Sequence, residues 1–181
     1  FFENDDVKIK DSLGAFSVLE YQRDLSVTPE TAMGAYFSNR MNVRKKQVVC
    51  DISKSNITLQ AGAMQWMLGT VNMGSGVKGV GNLLGKMASA AVTKETAIKP
   101  VYTGNGVMML EPTYRYIILI DVSQWGSIVL DDGLFLACDG NLTQKTVARK
   151  NLSSAVLGGE GLFNLSLSGN GIAALESYVP Y

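Results

Sequence analysis

The sequence predicts an all-β fold, organised as a sandwich or a barrel of short strands. Three observations indicate it: apolar and polar residues alternate with a period of two in several segments, turn-forming residues recur about every ten positions, and an Asp-Gly pair separates two apolar runs. Such alternation is typical of strands with one buried face. Many short strands at regular turn spacing indicate a sandwich or barrel.

The strands follow one another along the chain with differing patterns. Alternation appears over residues 48–52 and 57–61, and it returns over residues 163–168. Residues 116–120 read Tyr-Ile-Ile-Leu-Ile and are apolar at every position. A run without alternation is typical of a strand buried on both faces, so we expect this strand to be buried on both sides.

The pair Asp132 and Gly133 predicts a β-hairpin. It separates residues 127–131 from residues 134–138, and both segments are largely apolar. Asp-Gly between apolar runs favours a type I′ turn, because both central residues of that turn need a positive φ. We therefore expect the two flanking strands to pair with each other.

Two segments that lie 65 residues apart repeat one pattern. Residues 104–111 read Gly-Asn-Gly-Val-Met-Met-Leu-Glu, and residues 169–176 read Gly-Asn-Gly-Ile-Ala-Ala-Leu-Glu. Each copy predicts a strand, a Gly-Asn-Gly turn and a second strand. The fold is therefore expected to contain an internal pseudo-repeat.

One or two short helices, at about residues 29–41 and 80–90, interrupt the strand pattern. Thr28 is suited to cap the first helix, and Pro29 is suited to its first turn. The apolar residues of this helix share one face: Met33, Tyr36, Phe37 and Met41. We expect the helix to cover a sheet edge or face, with a partner-binding helix as the alternative.

Composition bounds the function. The 181 residues predict one domain over residues 1–181. Sixteen basic residues balance sixteen acidic ones, which disfavours a broadly basic nucleic-acid-binding surface. The chain has no histidine, which excludes Ser-His-Asp and Cys-His catalysis and the common zinc sites. We expect no catalytic residue and no metal site, and therefore a protein that is not an enzyme.

The glycine-rich segment over residues 74–85 is not predicted to bind a phosphate group. It contains the spacing Gly-x-Gly-x-x-Gly, but no strand-helix-strand alternation follows it, and a dinucleotide site needs that context. We expect a surface loop there and no cofactor.

The two cysteines, Cys50 and Cys138, each lie in an apolar strand-like run. Burial as small hydrophobic residues is the favoured interpretation, and a mutual disulfide or a reactive thiol remains as an alternative. The longest strongly apolar run is only residues 117–120, whereas a membrane span needs about 20 residues. The first residues lack a signal-peptide pattern, so a cytoplasmic protein without a membrane span is expected.

Several motifs in order resemble the altered inheritance of mitochondria 24 family, long catalogued as a domain of unknown function. They are residues 62–67, the glycine-rich segment that follows, residues 135–139, and residues 158–163 with the Gly-x-Gly turn beyond them. The resemblance covers about residues 16–179. It implies a β-sandwich related to the tryptophan RNA-binding attenuation protein and to double-stranded β-helices, and it supplies no catalytic residues.

Three departures from the family pattern accompany the resemblance. The chain inserts the helix at residues 28–41 and carries a longer segment between residues 84 and 102. It also ends soon after the second copy of the repeat, so we expect one or more closing strands to be absent.

The expected function is that of a structural or protein-interaction module, self-associating as a homo-oligomer, with unknown protein partners. The candidate interaction residues are Met64, Trp66, Met67, Arg44 and Lys46. The first three are either core or subunit interface, because Trp and Met are enriched in interface cores. The two basic residues belong either to a solvated strand edge or to an RNA-binding surface. RNA binding is the alternative function, although nucleic acid is not the favoured partner.

Overall fold

The computed structural model describes residues 4–75, 99–131, 133–148 and 163–180, and the all-β prediction is confirmed within them. One α-helix and twelve strands are present in these ranges, together with a 3₁₀ turn at Val122–Gln124. The elements are β1 (Val7–Leu13), β2 (Phe16–Tyr21), α1 (Ala32–Arg40), β3 (Lys46–Asp51), β4 (Ile57–Leu59), β5 (Met64–Ser75), β6 (Pro100–Leu110), β7 (Tyr116–Asp121), β8 (Ser127–Leu130), β9 (Phe135–Asp139), β10 (Thr143–Ala148), β11 (Phe163–Ser168) and β12 (Ile172–Ser177).

Two antiparallel sheets contain the described strands. The larger follows the order β1-β2-β3-β6-β4-β9-β12-β7, with β5 paired along β6, and the smaller follows the order β10-β11-β8. The edge strands β1 and β7 of the larger sheet approach each other, so that this sheet is nearly closed into a barrel.

A bend in the β5–β6 ribbon lets the large sheet curve so strongly. The second half of β6 pairs with β3 at Val107–Met109, and its first half pairs with β4 at Val101 and Tyr102. Between these halves lie Gly104 and Gly106, opposite Gly69 of β5. The prediction of a turn at the first Gly-Asn-Gly is therefore wrong: the tripeptide lies inside a continuous, bent strand.

The second Gly-Asn-Gly does form a connection, but it does not form a hairpin. It joins β11 to β12, which lie in different sheets. Equivalent residues of the two copies are nevertheless buried alike. Met108 and its equivalent Ala173 are fully buried, and so are Leu110 and, almost completely, its equivalent Leu175. The pseudo-repeat is thus expressed as two equivalent buried strands, β6 and β12.

The Asp-Gly hairpin prediction is wrong as well. β8 pairs with β11 in the small sheet, whereas β9 pairs with β4 and β12 in the large one. Gly133 has the positive φ that the turn requires, at 79°. The turn therefore carries the chain from one sheet to the other.

Two large apolar clusters fill the fold on either side of β9 and β12. Ala137 and Ala174 face the first cluster, together with Phe16 and Leu110, and Cys138 and Ala173 face the second. These strands are buried on both faces. The two faces of residues 117–120 pack against the two clusters, as a run that is apolar on both faces predicts, but burial is only partial because β7 is an edge strand.

Cys50 and Cys138 are both buried and free, so the favoured interpretation of the cysteines is confirmed. Burial, and secondarily the nearby Asp139 carboxylate, raises the pKa of Cys138 to about 12 and raises that of Cys50 still further. The thiolate is the nucleophile that attacks a thiol-specific reagent, and with these pKa values it is essentially absent near neutral pH.

We expect a thiol-specific chromogenic reagent to react with neither cysteine in the native protein and with both in denaturant. The readout is the number of thiols titrated per chain before and after unfolding. Rapid reaction of one thiol in the native protein would contradict the burial described above.

Helix α1 is confirmed, but it begins later than predicted. Its N-cap is Thr31, and residues 28–31 form a turn in which the backbone N–H of Thr28 donates to Thr31 Oγ1 over 3.0 Å. The second predicted helix, at residues 80–90, lies outside the described residues.

Candidate interaction surface

The predicted surface residues of β5 are placed in three different surroundings. Met64 packs against the first apolar cluster, and Trp66 packs against a small third cluster that includes Leu19 and Val49. A bulge between Met64 and Trp66 explains why they do not share a neighbourhood. Met67 is exposed. Met64 and Trp66 are therefore partly buried by core packing, whereas Met67 faces solvent.

The outer edge of β5 is long and uncharged. Among the described residues, β5 pairs only with β6, and none of its twelve residues is charged. Leu68 is 62% exposed and Met73 is 68% exposed. An extended, uncharged edge strand of this kind presents unpaired backbone groups to another chain.

The edge strand β1 is built in the opposite way. It carries Lys8, Lys10 and Asp11, and its pairing with β2 is interrupted by a bulge between Ile9 and Asp11. Charges and bulges are the devices by which proteins prevent edge-to-edge association. By contrast, β5 carries no charged residue, and its register with β6 shifts only at its beginning.

The predicted basic pair, Arg44 and Lys46, does not form a solvated patch. Lys46 is the first residue of β3 and is only 5% exposed. Its Nζ donates to the backbone carbonyl of Arg44 over 3.0 Å and lies 5.4 Å from the centre of the Tyr116 ring. Arg44 is half-buried and donates hydrogen bonds to Gln22 and Asn42. The expectation of a solvated basic edge is therefore wrong for Lys46.

Helix α1 faces the opposite way from the prediction. No residue of α1 is buried. Met33, within the helix, is 74% exposed, and Met41, at its C-cap, is 77% exposed. Tyr36 and Phe37 are also exposed, and their rings meet edge to face. The prediction that this apolar face covers the sheet is wrong, because the face points into solvent.

Polar contacts hold the helix in this orientation. The half-buried side of α1 consists of Ala35, Ser38 and Asn39, and the Asn39 side chain donates to the Gln22 carbonyl over 2.8 Å. The segments on either side of the helix are joined by an ion pair between Lys45 and Asp24, also 2.8 Å. The segment is therefore anchored by hydrogen bonds and charge.

Asp24 is the centre of that anchor. Burial alone raises its pKa, but hydrogen bonds from Lys45, Ser26 and Tyr114 outweigh burial and hold the pKa well below its usual range. The hydrogen bond between Tyr114 and Asp24, together with burial, raises the pKa of Tyr114 to about 12. Asp24 is therefore ionised throughout the neutral range, and the ion pair persists there.

A small pocket at one end of the barrel brings together residues that sequence reasoning missed. It encloses about 250 Å³ and contains Glu111, Arg115 and Glu176. Arg115 lies 3.6 Å from the Glu176 carboxylate and stacks over the Tyr178 ring, while Thr113 donates to Glu176. The signal was present in the repeat, since Glu111 and Glu176 are the last residues of its two copies. Glu176 is thus bound by both Thr113 and Arg115.

The carboxylate of Asp139 serves local structure. Asp139 accepts a hydrogen bond from the backbone N–H of Ile172 over 2.7 Å and so ties β9 to the start of β12. Asp132 lies outside the described residues. Within the part of the chain that the structure describes, no group of three or more Cys, Asp and Glu residues is arranged to hold a metal ion.

Comparison with known proteins now places the chain in a family. The sequence model of the mitochondrial biogenesis AIM24 family matches residues 40–180. The chain belongs to the AIM24 family. This confirms the resemblance drawn from its motifs.

Two proteins of Streptococcus pyogenes give the scale of the relationship. An uncharacterized protein of the serotype M6 strain is 30% identical over 131 residues, which cover 68% of this chain and 52% of the relative. The crystal structure of another S. pyogenes protein, a structural genomics target, has a TM-score of 0.52 and 24% identity, and the match covers 75% of this chain and 60% of that one. The chain spans about half the length of the curated relative, and the structural match supports the fold.

Within the described ranges, no helix has the length and apolar character needed to cross a bilayer.

Proposed function

We propose that this AIM24-family chain is a non-enzymatic structural or protein-interaction module that associates with a second copy of itself through the outer edge of β5. The observation that supports the proposal is the twelve-residue, uncharged strand edge, which pairs on one side only among the described residues. No cofactor is part of this function.

The chemistry of β5 suits a second copy better than an unrelated partner. When a strand pairs antiparallel with its own copy about a two-fold axis, a charged residue near the axis lies beside its own copy and therefore meets a like charge. β5 has no charge to repel, and its edge runs from Met64 to Ser75. Exposed Met67, Leu68 and Met73 add apolar contacts beside the backbone ladder.

The Thr70→Lys variant tests this interface. Thr70 is exposed and lies at the centre of β5, so that pairing about a central two-fold axis brings two lysines together. We expect the dissociation constant of the dimer to rise by roughly tenfold or more, since juxtaposed like charges are strongly unfavourable. Sedimentation equilibrium across a concentration series measures it.

The matched control is Thr146→Lys, which places the same substitution on the exposed face of β10 in the small sheet. We expect it to leave the dissociation constant unchanged. The Phe37→Ser variant tests the exposed face of α1 as a rival interface, because it removes an aromatic ring from that face. Dissociation by Phe37→Ser but not by Thr70→Lys would assign the interface to α1 and refute the β5 assignment. A wild-type protein that stays monomeric throughout the series would refute self-association.

A cytoplasmic location is part of the same proposal. Two free, unbridged cysteines are compatible with a reducing compartment. RNA binding stays a prediction, and the burial of Lys46 gives it no added support.

A further inference from the structure

Lys46 occupies an unusual position for a lysine. Val48 and Cys50, two and four residues further along β3, face the first apolar cluster. Because side chains alternate along a strand, Lys46 points toward the same interior side. It is only 5% exposed.

The ammonium group of Lys46 lacks a carboxylate partner. Among the described residues it forms no ion pair, and its polar contact is the hydrogen bond to the Arg44 carbonyl. Glu20, directly opposite in the register, is already paired with Lys10 over 2.7 Å. The Tyr116 ring face supplies a cation–π contact, but an ammonium has three donors. Lysine is almost never fully buried without a counter-ion.

A groove of about 420 Å³ includes Lys46 in its lining. It runs between the edge strands β1 and β7, with Lys10 and Asp11 on the β1 side. The rest of the lining is chiefly apolar, and comprises Val18, Tyr116, Ile117 and Pro180 beside Lys46 itself. The volume is within the range of sites for small organic ligands.

We propose that this groove binds a small monocarboxylate with an apolar body, whose carboxylate takes Lys46 as its counter-ion and whose body packs against Val18 and Ile117. The groove favours a single negative charge. Lys10 is neutralised by Glu20, and Asp11 at the rim repels a second anionic group. This inference stands independently of self-association through β5.

The titration of Lys46 gives the site a pH dependence. Burial lowers the pKa of Lys46, the neighbouring Lys10 lowers it further, and Glu20 partly opposes both. The other charged or titratable groups facing it are Asp11 and Tyr116. A bound carboxylate favours the charged amine, so affinity for a carboxylate falls as the pH rises through the pKa of Lys46.

Octanoate, 1-octanol and octylamine form a matched set of probes with one apolar chain and three head groups. We expect isothermal titration calorimetry of the full chain to show saturable octanoate binding at one site, roughly tenfold or more tighter than 1-octanol, as a charged hydrogen bond requires. Octylamine should bind more weakly than either. Equal affinity for octanoate and octanol, preference for octylamine, or no octanoate binding would overturn the proposal.

The Lys46→Met variant assigns the preference to the ammonium group, because Met keeps much of the side-chain volume. We expect it to lose the preference for octanoate over octanol while binding octanol as the wild type does. Lys145→Met is the control, and it should retain the preference because Lys145 is exposed on β10 in the small sheet, outside the groove. A preference that survives Lys46→Met would refute the assignment.

A wild-type measurement covers the case in which Lys46→Met does not fold. Octanoate affinity should fall from neutral into alkaline pH, beginning below the ordinary lysine pKa of 10.5, while octanol affinity stays constant. Octanoate affinity that does not change over this range would overturn the proposal.

Discussion

Gly104→Ala is expected to reduce the free energy of unfolding by about 3 kcal/mol or more, because it combines backbone strain with a steric overlap. Gly104 has a φ of +123°, which side-chain-bearing residues rarely adopt. A Cβ atom added there would lie 2.2 Å from the backbone carbonyl oxygen of Thr70 on the paired strand. A backbone atom in a ladder cannot move away as a flexible side chain does.

The overlap arises because the bend brings β5 and β6 close together. Gly69 and Gly106 show the same crowding, with an added Cβ 2.4 Å from the Asn105 oxygen and 2.2 Å from the Leu68 oxygen respectively. Three glycines therefore let the ribbon fold sharply enough for β6 to pair with both β3 and β4. A substitution at these glycines should therefore disturb the pairing of β6 with both β3 and β4.

Chemical denaturation followed by circular dichroism measures this loss, and Gly62→Ala is the matched control. Gly62 has a φ of +81°, but an added Cβ would meet no atom within 4 Å. Its substitution should cost only about 1 to 2 kcal/mol, the strain of the left-handed conformation alone. If Gly104→Ala cost no more than Gly62→Ala, the close approach of the two strands would be refuted.

The same tripeptide shows how far local sequence predicts this fold. Gly-Asn-Gly correctly indicated two places where the chain departs from regular strand geometry. It did not distinguish a bend within β6 from a connection between β11 and β12, because that difference depends on whether a long partner strand lies alongside. β5 supplies that partner for the first copy, and this pairing is not visible in residues 104–106 themselves.

Strand pairing and helix orientation were missed for a similar reason. Asp132 and Gly133 predicted a turn, but the choice between a hairpin and a change of sheet depends on β11 and β12, which come much later in the chain. Helical periodicity correctly grouped Tyr36 and Phe37 on one face. It gave no information on orientation, which is set by polar contacts such as that between Asn39 and Gln22.

The candidate sites show the limits of alternation more sharply. Alternation placed Arg44 and Lys46 on one strand face, and polarity suggested that this face is solvated. In the structure Gln47 and Lys46 are both buried, so β3 has no solvated face at its start. Burial of Lys46 arises from the near closure of β1 against β7, a long-range feature that no local pattern predicts.

Leu110→Ala and Leu167→Ala are expected to destabilise the protein by about 2 to 5 kcal/mol each, the cost of removing a fully buried leucine side chain. Leu110 belongs to the first apolar cluster and Leu167 to the second, and both are fully buried. Because β9 and β12 contribute residues to both clusters, the two should unfold together as one cooperative domain.

Thermal unfolding observed by calorimetry and by near-ultraviolet circular dichroism tests this cooperativity. Each variant should lower the midpoint of one shared transition, and the exposed control Leu25→Ala, outside the β5 edge, should change stability by no more than about 0.5 kcal/mol. Two transitions, with the first shifted only by Leu110→Ala and the second only by Leu167→Ala, would show that the clusters fold separately. A single transition shifted by both variants would instead mean that the two clusters unfold together. The physical reason is that β9 and β12 contribute residues to both clusters, so neither cluster is complete without them.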